Sequence, residues 1–151
     1  MLIESILTLE RSKANIEGGS KKRLIETLAK IFADNIENFK VDDVYHSLIN
    51  REKLGSTGLG GGIAIPHCRF ETKGETYGVC VTLNQAIDFD AVDSKPVDII
   101  FAMLVPENAE KSHLEFLASL AEIMQNQSFV ERMRAAKTDE DLFQVITQKT
   151  G

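Results

Sequence analysis

An arginine, a glycine-rich loop and a histidine follow one another within REKLGSTGLGGGIAIPH, residues 51–67. An imidazole is a good nucleophile near neutral pH when one ring nitrogen is free and the other is held by a hydrogen bond that sets the tautomer. A guanidinium and a concave run of backbone amides suit the oxygens of a phosphoryl group. The residue types and their order therefore suggest an anion site with His67 as nucleophile and Arg51 as its cation. Each also has a plainer reading: a flexible turn, a loop histidine, and a surface arginine favoured by the helix dipole. The loop is neither a Walker A motif, since no Gly-Lys-Ser/Thr follows, nor a dinucleotide fingerprint, since it precedes a strand.

A second histidine, His113, falls in the first turn of a predicted helix, on the same face as Leu114, Leu117 and Met124. A helix N-terminus disfavours imidazolium, so a neutral ring is expected there. Its plain alternative is a core histidine with one hydrogen bond. His46 points opposite Val44, Tyr45 and Leu48 and reads as solvated surface. Ser56 and Thr57 either offer hydroxyls to an anion or close a turn. Cys68 reads as a small tolerated side chain and Cys80 as core. His67 with Cys68 lacks a third and fourth metal ligand. The acidic group Asp88, Asp90 and Asp93 matches no cation-binding loop and reads as solvated.

The elements that position these residues are legible from periodicity. Leu24, Ile25, Leu28, Ile31 and Phe32 predict a helix from Ser20, its N-cap, to Asn35. Val41, Val44, Tyr45 and Leu48 predict a second helix to about Glu52. The glycine loop spans 55–62, and 62–65 reads as a short strand kept extended by Pro66. Tyr77 to Leu83 alternates as a half-buried strand, 86–90 reads as another, and Val97 to Val105 is a central strand. Helices follow from Glu110 to about Gln125, from a Ser128/Glu131 capping box to about Ala136, and from a Thr138/Asp141 box onward.

Size and composition bound the rest. At 151 residues the chain suits one domain, 1–151, with roughly 70% of its unfolded surface buried. The expected class is α/β: a single domain with a mixed sheet flanked by helices on both faces. The net charge of −6 argues against non-specific nucleic-acid binding. No stretch approaches the roughly 20 apolar residues of a membrane span, and Glu4 interrupts the apolar N-terminus, which excludes a signal peptide. Two cysteines make no disulfide framework, so a reduced, cytoplasmic protein is expected.

With these residues assembled, the stretch 51–67 closely resembles the enzyme IIA domain of the fructose/mannitol class in the bacterial phosphoenolpyruvate-dependent phosphotransferase system. The likeness continues through FDAVDSKPVDIIFAMLVP, KSHLEFLASLA and the C-terminal helix, so it covers nearly the whole chain. The opening ERSKANIEGGSKKRLIETLA is most similar to the nitrogen-regulatory branch, as is a free-standing domain. The resemblance implies His67 as phosphoacceptor through Nε2, with Arg51 and His113 around the phosphoryl group. Thr57 and the amides of Gly60, Gly61 and Gly62 are expected to bind its oxygens. It implies an HPr-like carrier as donor, regulatory target proteins as further partners, and no cofactor or metal. The alternative within the family is a sugar-uptake component that passes the phosphoryl group to a fructose/mannitol-type enzyme IIB. Two positions depart from the pattern: Gly61 stands where many relatives carry Asn, and Cys68 where Gly is usual.

Overall fold

Six strands form one mixed sheet in the computed structural model, which describes residues 2–148. They are β1 (Ser12–Ile16), β2 (Gly58–Gly60), β3 (Ile63–Ala64), β4 (His67–Phe70), β5 (Tyr77–Ile87) and β6 (Val97–Pro106). The path runs β1-β5-β6-β3-β2, and β4 also pairs with β6. Five helices accompany it: α1 (Lys21–Asn35), α2 (Val41–Lys53), α3 (Lys111–Ile123), α4 (Gln127–Ala135) and α5 (Asp139–Gln148).

Alternation explains why the sheet lies between helices. Successive strand residues point to opposite faces. Val79, Val81 and Leu83 of β5 and Ile100, Ala102 and Leu104 of β6 join Leu24, Leu28, Phe32, Val44 and Leu48 of α1 and α2 in one core. Cys80, Ile99, Phe101 and Met103 face the other way and pack with Phe116, Leu120, Phe129, Met133, Leu142 and Ile146 of α3, α4 and α5. The continuous apolar run of β6 is thus the signature of a strand covered on both sides.

The helix caps follow local chemistry. Ser20 Oγ accepts from the Arg23 amide at 3.2 Å, and Thr138 Oγ1 from the Asp141 amide at 3.1 Å, as expected. The cap of α4 differs: Asn126 Oδ1 accepts from Phe129 at 2.9 Å, which places Ser128 inside the helix. An Asn is as good a cap as a Ser, and it comes first in the chain.

Several strands depart from the sequence expectation. β1, SKANI, carries little apolar signal because tertiary partners hold it: Asn15 donates its amide to Thr82 Oγ1 and Ala14 to Asp139. β2 forms inside the stretch read as a pure loop, paired antiparallel with β3. β5 runs on to Ile87 through an irregularity after Thr82, where two separate strands were expected. On α3, Leu114 is 58% exposed, although its spacing placed it with the buried stripe; Phe116 and Leu120 face the core there.

One feature of β6 bears directly on His67. β3 pairs parallel with it at Ile99 and Ile100, and β4 resumes the same ladder at Met103 to Pro106. Between them Pro66 has no N–H to give, yet its carbonyl accepts from Met103 at 2.8 Å. His67 is therefore the first residue of a strand, not a residue beyond a strand end. No further strand covers the outer side of β4 among the described residues.

Candidate functional site

The open side of β4 is where α2 ends and α3 begins, and a cavity of about 480 Å³ lies between them. β4 contributes His67, Cys68 and Arg69, and β6 contributes Met103 and Val105. Ser47, Asn50, Arg51 and Leu54, spaced to share one face of α2 and its end, form one wall. His113, Leu114 and Leu117 of α3 form the other. The structure thus brings His113, distant in sequence, together with Arg51 and His67. No Asp or Glu lines the cavity among the described residues, so it is locally cationic in a chain of net charge −6.

His67 is half-buried, and its Nδ1 lies 2.6 Å from the carbonyl oxygen of Ile65. A carbonyl only accepts, so Nδ1 carries the proton and Nε2 keeps its lone pair. Burial lowers the pKa of the ring from the ordinary imidazole value; the Ile65 carbonyl opposes this, Arg51 adds to it, and Glu52 opposes it. The balance favours a neutral imidazole with a free Nε2, the state a nucleophile requires.

Arg51 donates from Nη1 to the carbonyl of Gly55 at 3.0 Å. One of its five N–H donors is so engaged, and the planar fork keeps others for an anion. His113 has the reverse arrangement to His67. Its Nδ1 accepts from the Glu110 amide at 3.2 Å, so the ring proton sits on Nε2. A neutral His113 is thereby a hydrogen-bond donor on the cavity wall.

The other expected phosphate ligands are elsewhere. Thr57 donates both its amide, at 3.2 Å, and its hydroxyl to the carboxylate of Glu52, so its hydroxyl is not turned to an anion in the cavity. Gly60, Gly61 and Gly62 form the turn between β2 and β3, level with Asp98 and Ile99 of β6, whereas His67 is level with Met103. At about 3.3 Å per strand residue, that offset is about 15 Å. The Gly61 amide donates to Asp93 at 3.0 Å, and its carbonyl accepts from Arg134, which also grips Asp98. These glycines shape a tight turn and do not line the cavity.

The same contacts settle the acidic residues. Asp93 holds the amides of Gly61 and Lys95, which lower its pKa, and Asp90 pairs with Lys21 at 3.7 Å. Among the described residues no three His, Cys, Asp or Glu side chains gather to hold a metal ion. Cys68 touches the cavity, but burial pushes its thiol up to about 12, against a weaker pull from Arg51. Cys80 is fully buried and raised further.

Sequence reasoning missed Arg69, Asn50, Ser47 and Glu52. Arg69 is two residues past His67 on one strand, which puts both on the same face. Glu52 continues the buried 44–48 spacing of α2; a carboxylate at a core position was the available signal.

Comparison with known proteins places this geometry. A family model described as "Phosphoenolpyruvate-dependent sugar phosphotransferase system, EIIA 2" matches residues 5–149. The chain is 43% identical over 144 residues to the nitrogen regulatory protein of Pseudomonas aeruginosa, covering 95% of this chain and 94% of that one. It is 39% identical over 150 residues to the nitrogen regulatory protein of Escherichia coli K12, covering 99% and 91%. Its fold is similar to the crystal structure of nitrogen regulatory protein IIA-Ntr from Neisseria meningitidis, with a TM-score of 0.89 and 39% identity over 96% of this chain and 99% of that one.

Proposed function

Because the chain belongs to the EIIA 2 family of the phosphoenolpyruvate-dependent sugar phosphotransferase system, we propose that it takes a phosphoryl group onto Nε2 of His67 from an HPr-like carrier and works as a nitrogen-linked regulatory protein of the cytoplasm. The observation that carries this reading is the arrangement of one cavity. His67 has Nδ1 tied to Ile65 and Nε2 free, beside Arg51 and a donor-tautomer His113.

Phosphoryl transfer depends on in-line positioning and on stabilising spread negative charge. The lone pair of His67 Nε2 attacks phosphorus as the bond to the donor's histidine nitrogen breaks, and that electron pair returns to the donor ring. The attacking ring gains positive charge while Nδ1–H still faces the Ile65 carbonyl, which supports that charge. Arg51 neutralises the transferring oxygens, and His113 donates one hydrogen bond from Nε2. The reaction exchanges one phosphorus–nitrogen bond for another, so it runs near equilibrium and needs no metal.

Two exposed leucines flank the cavity, Leu54 at 85% and Leu114 at 58%. An apolar rim around a cationic floor suits a protein donor that covers the site while its phosphoryl group enters. Phosphate on His67 adds a charge of about −1.5 to −2 at the centre of that surface, enough to change which protein docks there. No described helix is long and apolar enough to cross a membrane.

Incubation with a phosphorylated HPr-type carrier should label the wild type and leave His67→Ala unlabelled. Equal labelling of the two overturns the acceptor role. Pull-downs with His67→Ala and His67→Asp test the regulatory half: partners should differ between the variants, and identical partner sets overturn a phosphorylation switch.

A further inference from the structure

Behind the cavity, the buried carboxylate of Glu52 is used by nothing in the transfer step. Its side chain is 2% exposed, and its ion-pair partner is Lys21 Nζ at 3.1 Å, from the first turn of α1. Lys21 is itself pinned, with Nζ 4.6 Å from the ring centre of Phe89. Removing a carboxylate from water costs several kcal/mol, and an apolar side chain of similar size often serves stability as well or better. Stability alone therefore does not account for a carboxylate one residue from Arg51.

What Glu52 holds accounts for it. Its carboxylate accepts the amide and hydroxyl of Thr57, and its backbone carbonyl accepts the Gly55 amide at 3.1 Å. The turn 55–57 is thus bracketed by one residue. Gly55 in turn offers its carbonyl to Arg51, and the Thr57 carbonyl accepts the Ile65 amide at 3.0 Å. Across the Cα of the same residue, the Ile65 carbonyl is the one that holds His67 Nδ1.

We propose that Glu52, acting through Thr57, is a positioning residue that fixes both backbone carbonyls to which His67 and Arg51 are moored. Thr57 belongs to this support and not to the phosphate shell. The role rests on His67 being the acceptor, and two measurements separate that reading from this one.

The first is the ring tautomer of His67, read by nitrogen chemical shifts in protein carrying 15N-histidine. The second is phosphoryl transfer from a phosphorylated HPr-type carrier. Both are made on wild type, Glu52→Gln, Thr57→Val and Thr57→Ser. The Nδ1–H form should dominate in wild type and give way to a mixture in Glu52→Gln and Thr57→Val. In those two, kcat should fall about tenfold, or about 1.4 kcal/mol of barrier, with KM within about twofold. Thr57→Ser keeps the hydroxyl and should restore both. Wild-type tautomer and kcat in Glu52→Gln and Thr57→Val overturn the proposal, whatever their melting temperatures. So does a loss in Thr57→Ser equal to that in Thr57→Val. If Glu52→Gln does not fold, Thr57→Val, which leaves the Lys21 pair in place, carries the test. Failure of the wild type to accept phosphate, or labelling of His67→Ala, overturns the acceptor reading instead, and the tautomer still decides the role of Glu52.

Discussion

His67 Nδ1 lies 2.6 Å from the carbonyl oxygen of Ile65, and the residue between them is Pro66. The contact is local, but Pro66 gives it stiffness, because its ring fixes φ and keeps Ile65 extended. It leaves Nε2 as the ring nitrogen with a free lone pair. In the phosphorylated protein, nitrogen and phosphorus spectra should place the phosphoryl group on Nε2; a phosphoryl group on Nδ1 would contradict the structure.

Arg51→Ala should slow transfer by about 10²–10³-fold, the usual cost of losing a donor to developing oxyanion charge. Arg51→Lys should recover part of the rate, since an ammonium supplies charge without the planar fork. The same Ala variant should raise the His67 pKa, because the Arg51 charge contributes to lowering it. An NMR titration of His67 in both proteins checks the sign.

The lowered pKa of His67, due first to burial, sets a pH dependence. Transfer should persist below the ordinary imidazole pKa of about 6.5 and fade only as the folded ring protonates. For stability, the unfolded chain binds the proton more readily than the folded one. This site therefore favours folding above about pH 6.5, and that contribution falls away between the unfolded and folded pKa values as acid is added. Denaturant titrations across this range should show a shallower acid slope in His67→Gln than in wild type.

Neither cysteine should behave as a reactive thiol. With Cys68 raised to about 12 by burial and Cys80 higher still, a maleimide or disulfide reagent at neutral pH should modify both only after unfolding. Rapid modification of Cys68 in native protein would show that β4 opens.

The glycine turn should separate two neighbouring positions. Gly61 has φ of 67° with open space where a Cβ would go, so Gly61→Asn, the side chain that best tolerates this region, should cost less than about 1 kcal/mol. Gly62 has φ of 86°, and a Cβ there would strike Arg134 and Asp98. Gly62→Ala should cost about 1–3 kcal/mol. Thermal or denaturant unfolding of both variants measures the contrast.

The helices and the two long strands were legible because their apolar spacing is regular; His67, Arg51 and His113 were grouped through the family resemblance, and the structure gathers all three around one cavity. What the sequence hid was position along β6. The glycine loop and His67 adjoin in sequence, so amides and imidazole looked like one site; a parallel path along β6 carries them apart. The Thr57 hydroxyl is turned away from the cavity by Glu52, whose burial is marked only by its place in the 44–48 spacing of α2. β1 carries only Ala14 and Ile16 as apolar signal and is held by its parallel pairing with β5 together with Thr82 and Asp139. Leu114 obeyed its helical stripe, but that end of the stripe opens onto the cavity.

The shared ladder on β6 also governs when the acceptor comes into being. His67 takes its place only when β4 has found Met103 and Leu104, and the cavity closes only when α3 follows β6. Such non-local contacts arise late in folding, after the cost of closing long loops has been met. A nascent or partly unfolded chain therefore carries the full 51–67 motif without the placement of Arg51 and His113 around its imidazole. On the proposed reading, acceptance of a phosphoryl group marks chains that have finished folding, and in a refolding experiment it should appear no earlier than the β4–β6 amides become protected from exchange.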